Sequence, residues 1–113
     1  MKGYWVARCH ITDGEEYSKY AALAGPIIES FGGIFLVRGG NQLEVEGGVY
    51  ERTVLVEFEN IQTAEACYKS EAYQEALKNH VINSAIRHVV LVEAACSRAW
   101  RGWSLYLFTQ LGP

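Results

Sequence analysis

Gly3-Tyr4-Trp5-Val6-Ala7-Arg8-Cys9-His10-Ile11 alternates strictly: Trp5, Ala7, Cys9 and Ile11 fall on one side of an extended backbone, and Tyr4, Val6, Arg8 and His10 on the other. The period of two predicts a first strand with one side turned to a core. Directly behind it, Asp13 followed by Glu16 forms a capping-box pattern that satisfies free backbone N–H groups at a helix start. Tyr17, Tyr20, Ala21, Ala24, Ile28 and Phe31 then recur at helical spacing. Pro26 removes one backbone donor and predicts a kink beside Gly25, and Gly32-Gly33 supplies the stop. A strand feeding a helix in this way is the opening half of a layered fold.

The rest of the chain repeats the scheme. Ile34 to Arg38 is a β-branched and aromatic run closed by Gly39-Gly40, a second strand entering a permissive turn. Turn formers dominate from Asn41 to Gly48, with Leu43 and Val45 leaving room for a ribbon extension. Tyr50 to Phe58 alternates as a third strand, Arg52, Val54, Val56 and Phe58 opposing Thr53, Leu55 and Glu57. Asn60 caps a helix carrying Ile61, Ala64, Cys67 and Tyr68, and Ser70 caps its continuation with Tyr73, Ala76 and Leu77. Arg87 to Glu93 is the fourth strand.

The order β-α-β-β-α-β, with right-handed crossovers and short connections, predicts an α+β fold of ferredoxin-like topology: a four-stranded antiparallel sheet with its helices on one face. Helices on one face leave the other bare. That bare face carries Val6, Ile34, Leu36 and Leu55, so a symmetric homodimer with facing sheets is expected.

Composition narrows the function classes. The chain has 113 residues, 50% hydrophobic and 20% charged, enough for one domain whose folding hides roughly two-thirds of the unfolded surface. Ten Lys and Arg against thirteen Asp and Glu give −3, with no basic cluster, which argues against nucleic acid. No stretch approaches the ~18 apolar residues of a membrane span, and Arg8 interrupts the first apolar run, so a cytoplasmic location is expected. Cys9, Cys67 and Cys96 are widely spaced, without a Cys-x-x-Cys pair, and the three histidines show no ligand spacing; neither a disulfide framework, a metal nor another cofactor is implied.

Several separated motifs occur in one order: Tyr4-Trp5-Val6-Ala7-Arg8, Thr12-Asp13 with Tyr17 and Tyr20, Gly32-Gly33, Phe35-Leu36-Val37-Arg38-Gly39-Gly40, Val56-Glu57-Phe58, Tyr68, Ser70-Glu71-Ala72-Tyr73-Gln74 and Val92-Glu93. Together they make residues 1–94 resemble the bacterial domain of unknown function family 1330. The resemblance implies a dimeric α+β barrel, whose relatives include antibiotic-biosynthesis-type monooxygenases and muconolactone-isomerase-like proteins, a fold that permits catalysis without fixing a reaction. His10 stands where that pattern commonly has an acidic residue. The extension 95–113, with Trp100, Trp103, Tyr106 and Phe108, exceeds the pattern and reads as an added strand or packing arm, or as a disordered end.

The strand alternation assigns Arg8, His10, Arg38 and Glu57 to the bare face, beside a cavity between facing sheets. Arg8 and Arg38 are expected to hold a carboxylate or enolate through paired donors, Glu57 to orient them, and His10, as an imidazole, to act as acid or base. The competing reading of the same residues is an interface salt-bridge network. Tyr17, Tyr20, Tyr68 and Tyr73 either line an aromatic pocket or fill the core. Three functions stay open: a homodimer binding a small anionic organic molecule, an enzyme performing cofactor-free chemistry on that molecule, and a structural or interaction module whose dimer interface is sealed.

Overall fold

A computed structural model describes residues 1–95. The alternating stretch is β1 (Gly3–Ile11), followed by α1 (Gly14–Ser30), β2 (Ile34–Arg38), β3 (Arg52–Phe58), α2 (Ile61–Lys69), α3 (Glu71–His80) and β4 (Ala85–Glu93). The strands form one antiparallel sheet in the order β2-β3-β1-β4, which puts the two most regular alternations, β1 and β3, at its centre. This is the α+β, ferredoxin-like arrangement expected of the sequence.

Local chemistry sets the boundaries. The Asp13 carboxylate accepts the Glu16 N–H at 3.1 Å, and Asn60 accepts from Thr63 N–H at 2.8 Å. The expected continuation of the second helix is instead a separate helix, because Ser70 is extended (φ −60, ψ 146) and its hydroxyl accepts from Tyr73 N–H, starting α3 afresh. Gly32 takes a positive φ of 79°, which lets the chain leave α1 toward β2. The third strand starts at Arg52 rather than Tyr50, because Tyr50 and Glu51 stay in the preceding loop. The fourth starts two residues early, since Ala85 and Ile86 pair with Ile11 and His10.

The core lies between the sheet and its helices. Trp5, 2% exposed, stacks on Phe58 with centroids 6.1 Å apart and meets Tyr73 edge-on at 4.9 Å, while Val56, Ala64 and Cys67 close around them. Among the described residues the opposite face is bare: Ile34, Ile86 and Val90 are each more than half exposed, in line with Val6 and Leu55.

One irregularity redirects a side chain. Phe35 pairs with Val56 but Val37 with Leu55, so Leu36 is an extra residue in β2. The bulge resets the alternation: Ile34 and Val37 stay on the bare face, whereas Arg38, opposite Val54, turns to the helix side. The expectation that Arg38 shares a face with Arg8, His10 and Glu57 is corrected by this extra residue.

Candidate functional site

On the helix side, the register lines up three arginines near one end of the sheet. Cys9 of β1 is flanked by Arg52 of β3 and Arg87 of β4, and Arg38 of β2 follows along the same side. Apolar core would ordinarily occupy these positions, yet they hold cations.

Small residues of α1 give them room. The three arginines, Ala21, Ala24 and Gly25 all border a cleft of about 30 Å³ between α1 and the sheet, whose other walls include Tyr17, Tyr20 and Phe35. A Cβ at Gly25 would stand 2.7 Å from Arg38 Nη2, and one at Gly39 would collide with Arg52 Nη1, where a φ of 67° already favours glycine. Each guanidinium lies over an aromatic ring: Arg38 over Phe35 at 4.0 Å, Arg52 over Tyr17 at 5.8 Å and Arg87 over Tyr20 at 5.2 Å. Arg87 also donates to the Tyr20 and Tyr73 hydroxyls at 2.8 and 3.1 Å, and those hydroxyls are 2.6 Å apart.

Charge in the cleft is unbalanced. No ion pair joins any of the three arginines to a carboxylate among the described residues, and Arg52 Nε is buried without a hydrogen-bond partner. Burial pushes the Tyr17 hydroxyl up to about 12, with neighbouring Cys9 adding to the shift, and burial raises Tyr73 as well. Both phenols therefore stay neutral at physiological pH and supply no counter-charge. Arg52 and Arg87 are half-buried while Arg38 is exposed, so a bound anion would offset the desolvation of the first two and reach the third from solvent.

The bare face tells the opposite story. Arg8 Nη2 donates to both Glu44 carboxylate oxygens at 2.8 and 2.9 Å and to Tyr50 O at 3.3 Å. His10 Nδ1 lies 3.1 Å from Glu51, which also accepts the Ile11 N–H, and Tyr50 Oη meets His88 Nε2 at 2.9 Å. Glu57 is not near Arg8; it accepts from Tyr4 Oη at 3.2 Å. The structure thus keeps Arg8, His10 and Glu57 on one face, each with a carboxylate or hydroxyl partner although Arg8 Nε, like Arg52 Nε, is buried without one, and separates Arg38 from all three. Arg52 and Arg87, absent from the sequence-derived site, had a signal: Arg52 falls on the same alternation phase as Val54, Val56 and Phe58, which are core.

The family model described as Domain of unknown function (DUF1330) matches residues 2–95. The chain belongs to this family. No curated protein matches the DUF1330 chain closely enough to count. Among solved structures, its fold resembles RPA0582, a protein of unknown function from Rhodopseudomonas palustris, at TM-score 0.68 and 15% identity over 84% of this chain and 83% of that one. It also resembles a dimeric ferredoxin-like protein of unknown function from Thermobifida fusca, at 0.57 and 15% over 83% and 92%. A third similar structure is SnoaB, a cofactor-independent oxygenase from Streptomyces nogalater, at 0.55 and 9% over 85% and 95%. Identities this low show the shared fold alone.

No helix among the described residues of the DUF1330 domain is long and apolar enough to cross a membrane. The aromatic extension with Trp100, Trp103, Tyr106 and Phe108 lies outside the described residues, as does Cys96.

The loop between β2 and β3 has a pH dependence of known sign. Hydrogen bonding to Arg8 holds the Glu44 carboxyl below its usual value, and backbone hydrogen bonds, first its own and then that of Ile11, do the same for Glu51. A depressed folded-state pKa gives stabilisation that is complete above the ordinary carboxylate range and is lost as pH falls through the lower folded value. Acidification is therefore expected to lower amide protection factors, taken against the intrinsic exchange rate at each pH, in residues 40–51 before it lowers them in β1 and β3. Equal, simultaneous loss of protection in loop and strands would contradict these anchors.

Proposed function

We propose that this DUF1330 protein is a homodimer closed through its bare sheet face, each subunit holding a small organic anion in the cleft between α1 and the sheet. The observation that carries the reading is the set of Arg38, Arg52 and Arg87 without a carboxylate partner among the described residues, Arg52 Nε buried and unsatisfied. Guanidiniums present paired donors to carboxylates, enolates and phosphates, and glycines at 25 and 39 keep the space for those groups clear. The exposed apolar residues of the bare face, and the dimeric state named for the Thermobifida fusca protein, support the assembly.

This reading keeps Arg38 as an anion ligand and moves the site from the seam between sheets to the other side of the sheet. Arg8 and His10 already pair with Glu44 and Glu51, and the open cleft of about 640 Å³ beside His10 is walled by those same two carboxylates, which disfavours an anion there. Binding is preferred to turnover, because the described residues lining the cleft include no histidine or carboxylate to serve as a base near neutral pH. The oxygenase activity named for SnoaB shows that the fold tolerates chemistry, not that this chain performs it.

Thermal denaturation with acetate and with inorganic phosphate tests the reading. Ligand at one hundred times its Kd stabilises by about 2.7 kcal/mol, so saturating anion is expected to raise Tm by several degrees. In Arg52→Gln the rise shrinks, with affinity at least about tenfold weaker. Unliganded Arg52→Gln relieves a half-buried cation but loses its contact with the Tyr17 ring, so its stability is expected to stay within about 1 kcal/mol of the wild type. Absence of a Tm response to either anion, or an undiminished response in the variant, would overturn the assignment.

A further inference from the structure

Arg87 borders two clefts. Besides the small one beside α1, it forms part of the wall of a cleft of about 440 Å³ between α3 and the edge strand β4, lined by Tyr68, Leu77, Val81, Ile82 and Val89 with Gln74 and Lys78. The inner cleft, at about 30 Å³, has room for an anionic head and little more. The outer one falls in the range of roughly 300–1,000 Å³ that small-molecule sites occupy. Among the described residues its apolar wall is unpartnered: Ile82 is 74% exposed. Its charged residues are both cations, and neither Arg87 nor Lys78 is joined to a carboxylate by an ion pair among the described residues. Arg87 gives two of its five N–H groups to Tyr20 and Tyr73, which leaves three for a ligand.

We propose that the anion is a monocarboxylic acid with an apolar body, its carboxylate taken by the arginine cluster through Arg87 and its hydrocarbon part lying in the α3–β4 cleft. This rests on the anion-binding reading above and adds the ligand's class. A single arginine shared by a head-sized cleft and an apolar one matches a molecule with one charged end and one apolar end. A compact polyanion such as phosphate would leave the Ile82 wall uncovered, and a neutral hydrocarbon would leave the arginines unpaired.

Calorimetric titration of the full-length protein with acetate and octanoate, below the micellar range of the latter, tests the class. Octanoate is expected to bind one per subunit and at least about tenfold tighter than acetate, because several methylenes leave water. Ile82→Asn, at an exposed position that the fold does not depend on, removes apolar wall without adding a charge beside Arg87 and Lys78 and is expected to erase that advantage. Octanoate binding no tighter than acetate, or an advantage that survives Ile82→Asn, overturns this inference while the anion site stands. Failure of acetate and phosphate alike overturns the anion site and this inference with it.

Discussion

Trp5→Ala is expected to remove about 3–5 kcal/mol of folding free energy, the usual cost of truncating a fully buried large aromatic. The site makes that cost hard to relieve. Trp5 is 2% exposed and touches the aromatic rings of Phe58, Tyr68 and Tyr73, which come from β3, α2 and α3. Its loss leaves a hole where three elements meet, and rings fixed by their own neighbours do not collapse into it. Domains of this size are typically stable by about 5–15 kcal/mol, so the variant should unfold at a much lower urea concentration, with near-UV circular dichroism lost in the same transition. A midpoint within error of the wild type would mean that the core is not organised around this indole.

Val90→Asp is expected to turn the proposed dimer into a folded monomer. Val90 is 55% exposed in the subunit and lies opposite Val6, in the row that continues to Leu55, so a carboxylate there is hydrated and harmless to the isolated fold. In a face-to-face pair, two-fold symmetry brings two such carboxylates into the interface. Each costs several kcal/mol to desolvate without a partner, so the dissociation constant should rise by at least about a thousandfold. Analytical ultracentrifugation at micromolar concentration distinguishes the states, and an unchanged far-UV spectrum shows that the subunit is intact. A wild type that sediments as a monomer, or a variant that remains dimeric, would contradict the proposed interface.

The features legible in the sequence are those governed by neighbours along the chain. Alternation in Gly3–Ile11 gave β1 to the residue, and Asp13, Asn60 and Ser70 occupy the cap positions read for them, because capping depends on atoms three residues away. The bare apolar face followed from counting the helices available to cover a sheet. The site was less legible. A period of two extended through Ile34–Arg38 puts Arg38 on the bare face, and nothing in the composition of that run announces the extra residue at Leu36. Arg8 and His10 looked available for a ligand because Glu44 and Glu51 sit 36 and 41 positions away in the loop, beyond the reach of local pattern. Arg52 and Arg87 were visible as charges on the buried phase of their strands, a mismatch between local rule and global fold of the kind that marks functional positions.

The Leu36 bulge makes the destination of Arg38 a matter of counting. Deleting one residue from β2 would deliver the same guanidinium to the opposite surface, with almost no change in composition or net charge. In homologues, then, a gap or insertion in this five-residue strand bears on anion affinity as directly as a substitution of the arginine itself, and an alignment that slides across it would equate side chains that point into different compartments.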